Sequence, residues 1–178
     1  MSATVPRPES DEYSPYYAGY ISRVPAGADP LAMLREQLAA VPALLSGVGE
    51  SRAGYRYAPE KWSIKEVVGH LSDCERVFAY RILRIARADE TPLPNFDENA
   101  YGRTGGFDRR ALANLVEEWV SVRGATLSLT GSLDGEAWKR RVLANGKPIS
   151  ARALAYIIPG HVAHHLGVLA ERYGVAAS

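Results

Sequence analysis

Four stretches of this sequence repeat their apolar residues every three to four positions, and that period restricts the chain to packed helices. The first opens at Asp29-Pro30, an N-cap followed by a proline suited to a first turn, and carries Leu31, Leu34, Leu38, Val41 and Leu45. Pro42 lies inside it and predicts a bend, because proline lacks a backbone donor and crowds the preceding turn. The second stretch, 63–88, begins with the capping-box order Ser63-Ile64-Lys65-Glu66 and presents Val67, Leu71, Val77, Phe78, Ile82 and Ile85. A third, with Asp108 as its expected cap and Gly131 as its end, carries Leu112, Leu115, Val116, Trp119, Val122, Leu127 and Leu129. The fourth, 150–173, lies between Ser150 and Gly174, and its Pro159-Gly160 pair predicts a kink.

Four helices with one apolar side each predict an all-α protein, a four-helix bundle. Pro92 and Pro94 stop the second helix, so 89–107 and 132–149 become long connections that permit a topology other than simple up-and-down. Asn145-Gly146 between short apolar stretches predicts a tight hairpin just before the last helix. Residues 1–28 form an arm rich in Pro, Gly and Tyr. With Tyr13, Tyr16, Tyr17 and Tyr20 so close together, it is expected to pack on the 29–178 body, either as core cover or as one wall of a pocket.

A chain of 178 residues suffices for one such domain. Lys plus Arg number 21 against 20 Asp plus Glu, a net charge of +1, which gives no global drive toward nucleic acid. Cys74 is the single cysteine, so an internal disulfide is excluded and a reducing compartment, the cytoplasm, is expected. The first residues lack a signal-like apolar core, and no apolar run reads as the ~20 residues needed to cross a bilayer, so no membrane association is expected.

The four histidines are unevenly placed. His70 falls in the second helix, and His161, His164 and His165 share the hexapeptide Gly160-His161-Val162-Ala163-His164-His165 of the fourth. At about 100° per residue, His161 and His165 lie roughly 40° apart and can face one ion, whereas His164 is a weaker third candidate on that helix. His70 is the histidine available from a facing helix. Three neutral imidazoles leave a coordination position free for water or substrate, the arrangement of catalytic sites. Imidazole ligands suit a divalent metal, Zn first, with Ni, Fe, Co and Mn also compatible. Taken singly, a helical histidine is more often a packed residue satisfied by a hydrogen bond.

Lys61-Trp62-Ser63-Ile64-Lys65-Glu66-Val67-Val68-Gly69-His70-Leu71, followed by Glu75-Arg76-Val77-Phe78, resembles the second-helix signature of the DinB/YfiT-like family. Gly160 to His165 with Leu169 is similar to its last-helix signature, and Pro92-Leu93-Pro94-Asn95-Phe96-Asp97 to its connection between helices two and three. The resemblance spans most of 29–173. It implies a four-helix fold with a metal held by His70, His161 and His165, with His164 as the family's additional, non-ligating histidine, and often a homodimer. Characterised relatives include transferases and isomerases that use low-molecular-weight thiols such as bacillithiol or mycothiol, and hydrolase activity has been proposed for others. The expected function is therefore a metal-dependent enzyme acting on a small-molecule substrate, in which the ion activates a thiol or water, with thiol-dependent S-transfer first. The alternatives are a metal-dependent hydrolase, a non-enzymatic metal-binding or stress-response module, and a metal-free dimerising scaffold.

Several residues near the histidines bear on the chemistry. Cys74 departs from the family pattern, where a small polar residue is usual. Its thiolate on the metal would close the site, although a buried free cysteine ordinarily acts as a small hydrophobe. Asp73 and Glu66, three after and four before His70, are the candidate catalytic residues, as orienting partners or as a base. Either could equally be a solvated carboxylate. Glu75, about 140° from His70, is assigned to a structural ion pair. Arg81 lies nearly in line with His70 and could reach the far end of an extended anionic substrate, with a salt bridge as its plainer role. Asp97 and Tyr101 are weak pocket candidates, and Trp62, Trp119 and Trp138 read as core anchors. Gly102-Arg103-Thr104-Gly105-Gly106 lacks the strand and Lys-Ser/Thr ending of a phosphate loop.

Overall fold

A computed structural model describes residues 5–175. Its long helices are α2 (Pro30–Leu45), α4 (Ile64–Ala86), α6 (Leu112–Gly131) and α8 (Ala151–Tyr173). Between and before them lie the short helices α1 (Ala18–Ile21), α3 (Glu50–Ala53), α5 (Glu98–Thr104) and α7 (Gly135–Lys139). One hairpin, β1 (Arg141–Ala144) with β2 (Lys147–Ser150), precedes α8. The four long helices form the bundle, with α4 packed between α6 and α8 and with α2 against both α6 and α8.

The helix starts follow local chemistry. Asp29 accepts from the Leu31 N–H at 3.1 Å, and Ser150 accepts from the Ala153 N–H at 3.0 Å. At Ser63 the capping box is complete: its hydroxyl accepts from the Glu66 N–H at 3.1 Å, and the Glu66 carboxylate accepts from the Ser63 N–H at 2.8 Å. Gly174 ends α8 at φ 62°, a left-handed C-cap. Asn145 and Gly146 both take positive φ, 51° and 69°, as a two-residue hairpin of the primed type requires.

The third helix corrects the expectation at its start. It begins at Leu112 with Ala111 as N-cap. Asp108 sits instead in a 3-10 turn, Phe107–Arg109, where its carboxylate accepts from the Ser63 hydroxyl at 2.6 Å and pairs with Arg56. A long-range partner thus outcompetes the local capping role. The two long connections are also partly helical: Asp97 caps α5 within 89–107, and Asp134 caps α7 within 132–149. Both α2 and α8 continue through their internal prolines, Pro42 and Pro159.

By length and composition α8 could cross a bilayer, contrary to the sequence expectation, but it is the bundle's central core helix. Leu154, Ile157, Ile158, Val162 and Leu169 on it are all buried. The buried apolar residues divide into two clusters. One includes Leu34, Cys74, Phe78, Ile82, Leu154 and Ile157, and the other Val41, Val68, Leu71, Trp119, Val162 and Leu169. Along α4 the change of cluster falls between Leu71 and Cys74, and along α8 between Ile158 and Val162. His70 and His161 stand at this seam.

One buried polar network ties α2, α4, α6 and α8 together. Arg123 donates to both Glu75 oxygens at 2.7 and 2.8 Å, and to the Leu34 carbonyl and Gln37 Oε1, each at 3.0 Å. Gln37 Nε2 then donates to the Pro159 carbonyl at 2.8 Å. Glu75 is therefore in an ion pair, as its helical position predicts, and the pair is fully buried.

Candidate metal centre

Two helices present the three imidazoles. His70 Nε2 lies 3.0 Å from His161 Nε2 and 3.1 Å from His165 Nε2. All three ligand atoms fall within 4.8 Å of one another. The four-residue spacing on α8 brings His161 and His165 to one face, and α4 supplies His70 from the opposite wall.

The donor set fits a divalent cation. Burial holds His70 down to about 4 and His165 down to about 2, and it carries His161 well below the ordinary imidazole value; neighbouring histidines push in the same direction. The rings are therefore neutral at pH 7. A neutral imidazole has one N–H, so three Nε2 atoms facing one another cannot all be satisfied among themselves. A cation accepts all three lone pairs at once. Nitrogens about 2.0–2.1 Å from a tetrahedral zinc stand about 3.3–3.4 Å apart, a few tenths of an ångström from the spacing found here.

Cys74 Sγ lies 3.5 Å from His70 Nδ1 and 3.7 Å from its Nε2. It stands beside the ring, outside the converging group of donor atoms. Burial raises its thiol, which stays protonated. Nearly equidistant from the two ring nitrogens, the sulfur packs against the ring and holds its orientation by contact.

Neither candidate base is placed for its expected role. Glu66 is held at the start of α4 by its own cap and by a bidentate pair with Arg56. Asp73 is half-buried, which raises its carboxyl, and faces Arg76 at 3.4 Å. Neither lines the cavity beside the histidines. A four-residue offset places a side chain on the same broad face as His70, but that face is wider than the site. His164 does border the cavity, half-buried against Tyr20 and His165 at ring separations of 5.6 and 4.9 Å.

The walls are aromatic. Trp62, read from the sequence as a core anchor, packs on His70 at 4.5 Å between ring centroids and lies parallel to His165 at 6.4 Å. Phe78 and Tyr20 meet His161 edge-on at 6.0 and 5.2 Å. Tyr20 belongs to the arm, which also carries Tyr16 and Tyr17 to the cavity rim. The arm is anchored by Glu12, which accepts from the Ser150 hydroxyl at 2.6 Å and from Arg152 Nε at 2.7 Å. Burial pushes the Glu12 carboxyl up, yet these hydrogen bonds outweigh it and hold it below its usual range. The cavity is partly open to solvent and has a volume of 390 Å³, with the histidines and Arg81 in its wall. Asp97 caps α5 outside this wall, and Tyr101 packs on Phe96 at 5.7 Å.

The sequence profile of the DinB superfamily matches residues 33–169, the span that contains all three histidines. The chain belongs to the DinB superfamily. A solved structure of YfiT from Bacillus subtilis, described as a probable metal-dependent hydrolase with an unusual four-helix bundle topology, superposes with a TM-score of 0.73. It shares 18% identity, over 95% of this chain and 94% of that one, which establishes the DinB-type fold. No curated protein matches the chain.

Proposed function

We propose that this DinB protein is a metal-dependent enzyme of a reducing compartment, in which His70, His161 and His165 hold a divalent cation, zinc first, and thiol-dependent S-transfer is the reaction. The observation that carries this reading is the convergence of three neutral imidazoles in the wall of a partly open cavity. A structural site would be sealed and four-coordinate; here the donors open onto space large enough for a small molecule. The ion's contribution is Lewis acidity, which favours loss of a proton from a thiol or a water near neutral pH. The chain's own residues do the rest. Cys74 packs against the His70 ring, Trp62 and Phe78 exclude water from the ligand nitrogens, and Tyr20 closes the side facing the arm.

Hydrolysis is the second reading, favoured by the description of YfiT as a probable metal-dependent hydrolase. The two readings share a site and differ in the nucleophile. A homodimer is also proposed, and light scattering tests it.

The deciding experiment is metal content by mass spectrometry on untagged protein and on His161→Ala. Near-stoichiometric metal that is lost in the variant supports the site, and a screen of thiols with electrophiles against ester and amide substrates then separates transfer from hydrolysis. Absence of metal from both proteins after incubation with Zn, Ni, Fe, Co and Mn overturns the reading.

A further inference from the structure

Arg81 is an unusual member of the cavity wall. It is 3% exposed, yet among the described residues no carboxylate lies within salt-bridge distance of it. Its protein contacts are a hydrogen bond from Nη2 to the Pro94 carbonyl at 2.8 Å and a cation–π contact with Phe96 at 5.6 Å. A guanidinium has five N–H donors, so most of them lack a protein acceptor. They are not sealed in the core either: among the described residues, Trp119 Nε1 is the side-chain nitrogen or oxygen buried without a partner. Arg81 is one of the residues that line the cavity.

The fold brings further donors to the same cavity. The Leu93 N–H donates to the Leu143 carbonyl at 2.8 Å, and the Asn145 N–H donates to the Leu93 carbonyl at 3.0 Å. This pairing pins the hairpin turn to the strand-like connection that bears Pro94, the residue that holds Arg81. Asn145 and Lys147 of the turn and Asn95 of the connection thereby line the same cavity. Glu98 is the one carboxylate in that wall, and it stays beyond salt-bridge distance of Arg81.

We propose that Arg81, supported by Lys147, forms an anion subsite that binds a carboxylate on the substrate, whose other end reaches the three histidines. A buried cation is costly unless an anion and good hydrogen bonds offset it. The planar fork of arginine matches a carboxylate with two parallel hydrogen bonds. The eleven residues from His70 to Arg81 span about 16 Å along α4, and the arginine side chain points back toward the helix N-terminus and shortens that gap. The substrate class is thus an extended molecule with a reacting group at one end and a carboxylate at the other. The inference rests on the proposed function only for the identity of the first end.

The test is calorimetric titration of metal-loaded protein with ω-mercaptohexanoate and with ω-mercaptohexanol, which match in length and differ in charge. The acid should bind about tenfold tighter, as one charge-assisted pair supplies. That ratio should fall to about one in Arg81→Gln and by about threefold in Lys147→Ala, while affinity for the alcohol is unchanged. Lys147 is exposed, so its variant keeps the test decisive if Arg81→Gln does not fold. Equal affinities in the unmodified protein, failure of both probes to bind, or a ratio unchanged in either variant overturns the subsite. Hexanoate and hexanol on metal-free protein separate the two proposals: a preference for the acid there, in a protein that takes up no metal, supports the subsite and removes the metal reading.

Discussion

Gly160 lies so close to Tyr20 that a Cβ on it would stand 2.0 Å from the Tyr20 carbonyl oxygen. The N-terminal arm and the helix of His161 and His165 therefore meet backbone to backbone, and this contact lets the Tyr20 ring reach His161. Gly160→Ala must push the arm away. Such overpacking costs about 1–3 kcal/mol, and trypsin should cleave at Arg23 faster. Gly124→Ala, where a Cβ meets nothing within 4 Å, should leave both properties as they are or raise stability slightly. Identical melting and cleavage for the two variants would disprove this role for Gly160.

Cys74 Sγ packs against the His70 ring, 3.5 Å from Nδ1 and 3.7 Å from Nε2. Cys74→Ala leaves a gap beside the ring and should destabilise the protein by about 1 kcal/mol, read by urea unfolding. Cys74→Val refills the gap and should recover most of the loss. Equal stability of the parent protein and Cys74→Ala would show that the contact does not support the ring.

The depressed imidazoles make stability of the metal-free protein depend on pH. The unfolded chain binds protons on these histidines below about pH 6.5, whereas folded His70 does so only near 4 and His165 near 2. Stability is therefore unaffected above about 6.5 and falls as pH drops through the interval toward 4, by on the order of 1.4 kcal/mol per pH unit for each histidine. Urea unfolding at pH 7, 6 and 5 measures this, and His165→Ala should flatten the slope. A curve with no slope in the parent protein contradicts the assignment.

The Arg123–Glu75 pair is fully buried, so loss of one partner leaves an uncompensated charge. Glu75→Ala should cost about 3–5 kcal/mol in denaturant unfolding. The double variant Glu75→Leu with Arg123→Met should recover part of it, but not all, because Arg123 also donates to Leu34 and Gln37. A double variant no more stable than Glu75→Ala would show that the charge itself is not the cause.

What the sequence disclosed was local. Asp29, Ser63 with Glu66, Ser150 and the Asn145-Gly146 turn are short-range signals, and each appears where its chemistry predicts. The i, i+4 pair His161 and His165 was legible for the same reason. Asp108 misled because its carboxylate answers Ser63, 45 residues away, and no periodicity carries that information. For Glu66 and Asp73 the sequence left a base and a solvated, paired carboxylate both open, because helical phase gives a direction and not a partner. The cavity role of Trp62 was not legible, because it depends on separate elements meeting around α4 and α8; helical phase pointed Arg81 the right way, but its neighbours in the cavity wall are defined only by the folded chain.

His70 and His161 are separated by 91 positions, and Glu12 by 138 from Ser150. During synthesis the arm and His70 leave the ribosome long before the helix that completes both contacts. A nascent chain stopped short of residue 161 has one of the three imidazoles. The donor group therefore exists only while α4 and α8 are packed together, and anything that parts these two helices would scatter it.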